Sequence, residues 1–204
     1  MPLSAISSGL PGLLLAATIL PFSVPARAAA VETSTTAAAL SPEAVKAAFL
    51  VNFVRFTDWP KGNPAEIAPY SIGVSGNRQI EDELIRLADR QLVRGHRLRI
   101  VRIKSPADLA GLHVAYFDTA TAEIEGMPGH EALALLRTRP VLTISDDPGF
   151  LAAGGIIRIF REGKAVRFEI APQAAREAGL VLSSRLLALA SIYRSDNRAA
   201  ARYP

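Results

Sequence analysis

The chain has no cysteine and only three histidines, His96, His113 and His130. The first absence excludes disulfides, thiolate metal sites, iron–sulfur clusters and a cysteine nucleophile. The histidines fall in separate segments, none at the three- or four-residue spacing that sets two imidazoles on one helical face, so no metal is expected. Aromatic residues are scarce at 6% and charged ones reach only 21%. No run of five basic residues occurs, so the formal charge of +4 reads as a solvated basic surface and not as a nucleic-acid footprint. A role at a membrane surface or with an acidic partner is the alternative reading of that charge. No G-x-S-x-G elbow and no Walker lysine are found, and no cofactor and no catalytic residue are expected.

Half of the 204 residues are hydrophobic, enough to build one core without staples. The apolar stretch from Leu10 to Phe22, interrupted by Pro11 and Gly12, is followed by Ala26-Arg27-Ala28-Ala29-Ala30. Residues 1–30 therefore read as a secretory signal peptide cleaved near Ala28 to Ala30, which directs the chain to the periplasm. A membrane anchor is the rival reading, and the lack of Lys or Arg in residues 1–9 departs from the usual basic start. Residues 31–40, rich in Thr, Ser and Ala, read as a flexible spacer. The domain is expected over 41–193, with a flexible tail at 194–204.

Ser41-Pro42-Glu43 is a helix start, and an apolar helix is expected to run to about Thr57, before Trp59-Pro60. Its apolar residues cover most of the circumference, so it is either wrapped by its own domain or offered to a partner. Strands are expected at Tyr70–Ser75, Arg97–Ile103, Leu112–Phe117 and Val141–Ser145, with helices at Gln79–Arg90 and Gly129–Thr138. Ile156–Arg161 and Lys164–Ile170 form a hairpin across Glu162-Gly163, and two short helices follow, from Pro172 and from Ser183-Ser184. The fold class is α/β: a single three-layer-like domain with an open mixed, partly parallel sheet flanked by helices and a C-terminal β-hairpin.

Two short motifs have double readings. Gly73-Val74-Ser75-Gly76 lies at a strand-to-helix junction, where backbone amides either hold an anion or form a plain turn. Asp146-Asp147-Pro148-Gly149 pairs carboxylates after a strand, as acid–base and metal sites do, although Pro-Gly also specifies a turn.

The helix end Asn52-Phe53-Val54-Arg55-Phe56-Thr57-Asp58-Trp59-Pro60 and the block Val141-Leu142-Thr143-Ile144-Ser145-Asp146, Pro148-Gly149-Phe150, Gly154-Gly155 resemble the YfiR-like family of exported bacterial proteins. Val166–Ile170, Ala178-Gly179-Leu180 and Ser183–Leu187 extend the resemblance, which spans about residues 43–192. It implies a periplasmic repressor, not an enzyme, that binds the periplasmic sensor domain of an inner-membrane diguanylate cyclase or another sensor protein and acts as a homodimer. Cyclic di-GMP signalling and biofilm formation would then be lowered. A periplasmic small-ligand module serving a sensor kinase or transport system is the alternative. The cysteine pairs through which a family member senses redox state have no counterpart here, so a disulfide trigger is excluded. The resemblance, with the apolar first helix, places partner or ligand binding at Asn52, Arg55, Trp59, Arg158, Glu169 and Arg185. Arg55 could clamp an anionic group or pair with Glu169, and Trp59 could equally be core.

Overall fold

The computed structural model describes residues 41–60, 69–119 and 123–194. The expected signal peptide and spacer, and the tail beyond Arg194, lie outside the described residues.

The first helix, α1 (Pro42–Arg55), starts where its sequence dictates: Ser41 Oγ accepts from the Ala44 amide at 3.1 Å and Pro42 occupies the first turn, where its missing N–H costs nothing. It ends at Arg55, two residues before the expected Thr57, because Thr57 leaves the helix to begin strand β1 (Thr57–Asp58) and its hydroxyl donates back to the Phe53 carbonyl at 2.8 Å. Ala47, Leu50, Val51, Phe53 and Val54 are buried, and only Asn52 and Arg55 of the helix are exposed. Of the two readings of this apolar helix, the one wrapped by its own domain holds.

Strand β2 (Tyr70–Ser75) leads into α2 (Arg78–Arg90), capped by Asn77, whose Oδ1 accepts from the Ile80 amide. After β3 (Leu98–Arg102) a 3-10 turn at Pro106–Leu109 precedes β4 (Val114–Phe117). A small hairpin of β5 (Glu123–Ile124) and β6 (Met127–Pro128), then α3 (Gly129–Leu136), lead to β7 (Leu142–Ser145). The hairpin β8 (Ile157–Glu162) and β9 (Ala165–Ile170) is followed by α4 (Pro172–Glu177), β10 (Val181–Leu182), α5 (Ser184–Leu189) and β11 (Ser191–Ile192).

The main sheet has the order β11-β9-β8-β7-β4-β2-β3. Only β8 and β9 pair antiparallel within it, which makes the sheet mixed and mostly parallel. Its central strands are buried on both faces, as parallel strands flanked by helices must be. On one face Ile72, Val74, Val114, Tyr116, Ile144, Ile159 and Phe168 pack against α1 and α2; on the other Ala115 and Phe117 meet α3, Phe150 and Leu151. Gly73 keeps the second layer close: a Cβ there would stand 2.5 Å from Leu112 Cδ1 and 2.8 Å from Ile103 Cδ1.

The Pro148-Gly149-Phe150…Gly154-Gly155 block folds upon itself. The Gly155 amide donates to the Phe150 carbonyl, and the Phe150 ring lies over Gly155, where any Cβ would collide with it. Gly154 has φ +96° and faces the Arg137 guanidinium, a conformation that L side chains rarely adopt.

The aromatic contact that seats α1 is Phe53 against Phe168, centroids 5.1 Å apart at 65°, with Phe49 5.5 Å from the same ring. Replacing Phe53 by alanine should cost about 3–5 kcal/mol, measured as the shift of a urea unfolding midpoint at unchanged slope. A loss below about 1 kcal/mol would show that the helix is seated by something else.

Candidate functional site

Because α1 runs antiparallel to the central strands, its ends reach opposite poles of the sheet, about 21 Å apart for fourteen residues. At the pole of the strand N-termini, Trp59 packs on Tyr70 (5.3 Å) and edge-on to His113 (5.8 Å), and Tyr70 also meets His96. Trp59 Nε1 is buried without a hydrogen-bond partner among the described residues. Arg55 is exposed and its Nη2 reaches Gln91 Oε1 at 3.5 Å, beside Asn52, which is also exposed. Strand β1 pairs with β10, and the Ser183 amide donates to the Phe56 carbonyl. These bonds bring the segment carrying the exposed Arg185 to the end of α1.

Arg158 and Glu169 lie directly opposite on β8 and β9, with Nη1 3.4 Å from Oε2, and Arg158 also sits 4.8 Å over the Phe160 ring. Phe168, next to Glu169, faces α1, so alternation turns Glu169 and Arg158 to the other face of the sheet. The sheet thus separates Arg158 and Glu169 from Asn52, Arg55 and Trp59. Glu169 has Arg158, not Arg55, as its ion-pair partner.

The opposite pole holds a polar network that sequence reasoning did not assemble. Lys46 Nζ donates to Asp146 Oδ2 at 2.7 Å, and the Thr119 hydroxyl and amide donate to Asp146 Oδ1 at 2.5 and 2.9 Å. Tyr116 OH lies 3.4 Å from Asp146 and 3.5 Å from Asp118, while Asn77 Nδ2 donates to Asp118 at 2.9 Å. Asn77, Tyr116, Asp118, Thr119 and Asp146 sit at the C-terminal ends of β2, β4 and β7, where open α/β sheets place ligands, and Lys46 reaches them from α1. Burial, and then the two carboxylates, push the Tyr116 phenol well above its ordinary value, so it stays a donor. Burial alone would raise Asp146, but Lys46 and Thr119 outweigh it and hold the carboxyl below the usual value. Asp147 closes the turn by accepting from the Gly149 amide, so Asp146 and Asp147 are engaged in separate structural bonds. The only forewarning was the spacing of polar residues directly after apolar strands.

A family model described as YfiR/HmsC-like matches residues 43–191. The chain belongs to the YfiR/HmsC-like family. This is a regulatory family associated with cyclic di-GMP signalling in the periplasm. No curated protein matches the chain. Among solved structures, a conserved domain protein from Vibrio cholerae O1 biovar El Tor is similar at 14% identity and a TM-score of 0.47; the match covers 76% of this chain and 61% of that one. Among the described residues no helix is long and apolar enough to cross a membrane, and no group of three or more His, Cys, Asp or Glu is placed to hold a metal. The two YfiR-like motifs lie at opposite poles: Trp59-Pro60 follows α1 and β1 at one, and D-x-P-G-F…G-G builds the loop at the other.

Two outcomes follow from these poles. His113 Nδ1 accepts from the Ser71 amide at 3.0 Å, so its proton sits on Nε2 and protonating Nδ1 breaks the bond. Burial and then Arg99 lower its pKa below 6.5. The unfolded chain therefore binds the extra proton first, and stability present above about pH 6.5 is lost as pH falls through the folded value. Urea midpoints at pH 8 and pH 5 should fall in that direction, and the fall should shrink in His113→Gln; an equal fall in both would refute the assignment. At the other pole, Asp146→Asn should cost about 1.5–3 kcal/mol by weakening the bonds to Lys46, read by the same unfolding assay.

Proposed function

We propose that the chain is a periplasmic repressor that holds an inner-membrane diguanylate cyclase inactive by binding its periplasmic sensor domain, lowering cyclic di-GMP and biofilm formation. What carries the proposal is the family match over residues 43–191, which takes in both poles of the sheet and nearly every described residue. The binding pole in this reading is the end of α1. Asn52 and Arg55 are the exposed polar residues of an otherwise packed helix, Trp59 sits half-buried beside them, and Arg185 is carried on the segment tied to Phe56. Arginine and tryptophan at a rigid helix end are the residue types that anchor protein interfaces. Arg158 and Glu169 form a second patch on the far face of the hairpin, suited to the homodimer contact. With no cysteine, release of the cyclase runs through ligand binding, packing or dissociation and not through a disulfide.

Deleting the gene in a strain that keeps its cyclases should raise cyclic di-GMP and surface attachment, and unchanged levels would refute repression. Tagged mature protein should retain a transmembrane cyclase from solubilised inner membrane. Arg55→Ala should reduce that capture about tenfold without moving the thermal midpoint, whereas Arg158→Ala should leave it intact and weaken self-association. Loss of capture in Arg158→Ala alone would move the interface to the hairpin.

A further inference from the structure

Trp59, close to the exposed end of α1, is held by rings. It packs on Tyr70 at 5.3 Å and edge-on to His113 at 5.8 Å, and Tyr70 meets His113 in turn at 5.4 Å. The indole Nε1 has no hydrogen-bond partner among the described residues, so the seat of Trp59 depends on where those two rings stand. Tyr70 is fixed by its strand, its amide donating to the Arg97 carbonyl at 3.0 Å. His113, only 5% exposed, is fixed by the bond that its Nδ1 accepts from the Ser71 amide at 3.0 Å. That bond exists only for the neutral ring, because a proton on Nδ1 sets two donors against each other.

The groups around His113 are cationic or aromatic. From β3, Arg99 Nε donates to Ser71 Oγ at 3.0 Å, which holds a guanidinium beside the Ser71–His113 pair. From β2 and the loop before β3 come Tyr70 and, edge-on to it, His96. At the start of β7 the Leu142 amide donates to the His113 carbonyl, and the charged residue ahead of it, Arg139, is an exposed cation. Asp58, next to Trp59 in the chain, is taken by Arg94 at 2.6 Å. Burial, and then Arg99, lower the His113 pKa. A proton that enters is therefore uncompensated, and the ring leaves its place to reach water.

We infer that His113 is a proton-operated catch for the partner-binding end of α1: neutral, it seats Trp59 and the partner is held; protonated, it breaks from Ser71, unseats Trp59 and the partner is released. The release step rests on the repressor reading, whereas the movement of Trp59 does not. Acid thus supplies a trigger that a chain without cysteine cannot draw from thiols. Because the folded pKa is the lowered one, the catch is closed above about pH 6.5 and opens as pH falls through the folded value. By linkage, a bound partner holds His113 neutral to still lower pH.

The chain has one tryptophan, so its emission reports Trp59 directly. Emission of the mature protein titrated from pH 8 to pH 5 should show a reversible one-proton transition below about pH 6.5, with unchanged far-UV circular dichroism. The transition should vanish in His113→Gln and in His113→Asn, whose amide oxygens accept without titrating, and persist in His96→Gln. In Arg99→Gln, which removes the neighbouring cation, it should move to higher pH. Capture of the solubilised cyclase should fall about tenfold for each pH unit below that midpoint, the slope of one linked proton, and stay level in the His113 variants. A transition that is absent or that survives in both His113 variants, or wild-type capture that stays level, would overturn the inference. Capture that fails at pH 8 as well would refute the repressor reading instead, and the emission titration then decides by itself whether His113 moves Trp59.

Discussion

Everything in this fold is arranged to bury one helix. α1 carries so little polar surface that it is stable only when enclosed, and each of its sides is closed by a different part of the chain. Phe49 and Phe53 lie on Phe168 of the hairpin, and α2 comes alongside so that Arg55 reaches Gln91. The C-terminal segment is tied on through β1 with β10 and the Ser183 amide. Its first turns are fixed from below by Lys46 on Asp146. The hairpin, the parallel sheet and the C-terminus therefore fold as one cooperative body around α1.

That constraint also divides the surface into distinct regions. Since α1 is antiparallel to the strands, its exposed end gathers Asn52, Arg55 and Trp59 at the pole of the strand N-termini. The C-terminal ends of the strands, where loops carry polar side chains, are left to the Tyr116 network.

Much of the fold was legible in the sequence because the signals were local. Ser41-Pro42 announced α1, and the apolar runs at 70–75 and 141–145 gave buried strands, whereas the cap at Asn77 was not foreseen. The short pieces were not legible: β1, β5, β6, β10 and β11 have two residues each, too few to show a period. They exist only because a partner strand or a neighbouring carbonyl is present. The candidate residues fared likewise. Arg55 and Trp59 were singled out by pattern, but their separation from Arg158 and Glu169 depends on which way β9 alternates, and the packing of Phe168 on Phe53 decides that.

Sequence by itself determined that no thiol chemistry operates here, that the domain is α/β with a closing hairpin, and that the chain carries the two motifs of a YfiR-like protein. These follow from composition and from patterns within single elements, where neighbouring residues are bound to share a face. Tertiary structure alone decided that Lys46, Tyr116, Asp118 and Asp146 converge and that Glu169 answers Arg158. It alone left the buried Ser75 hydroxyl without a hydrogen-bond partner among the described residues. Those contacts join residues up to one hundred positions apart, and only the crossing of strands and helices sets such distances.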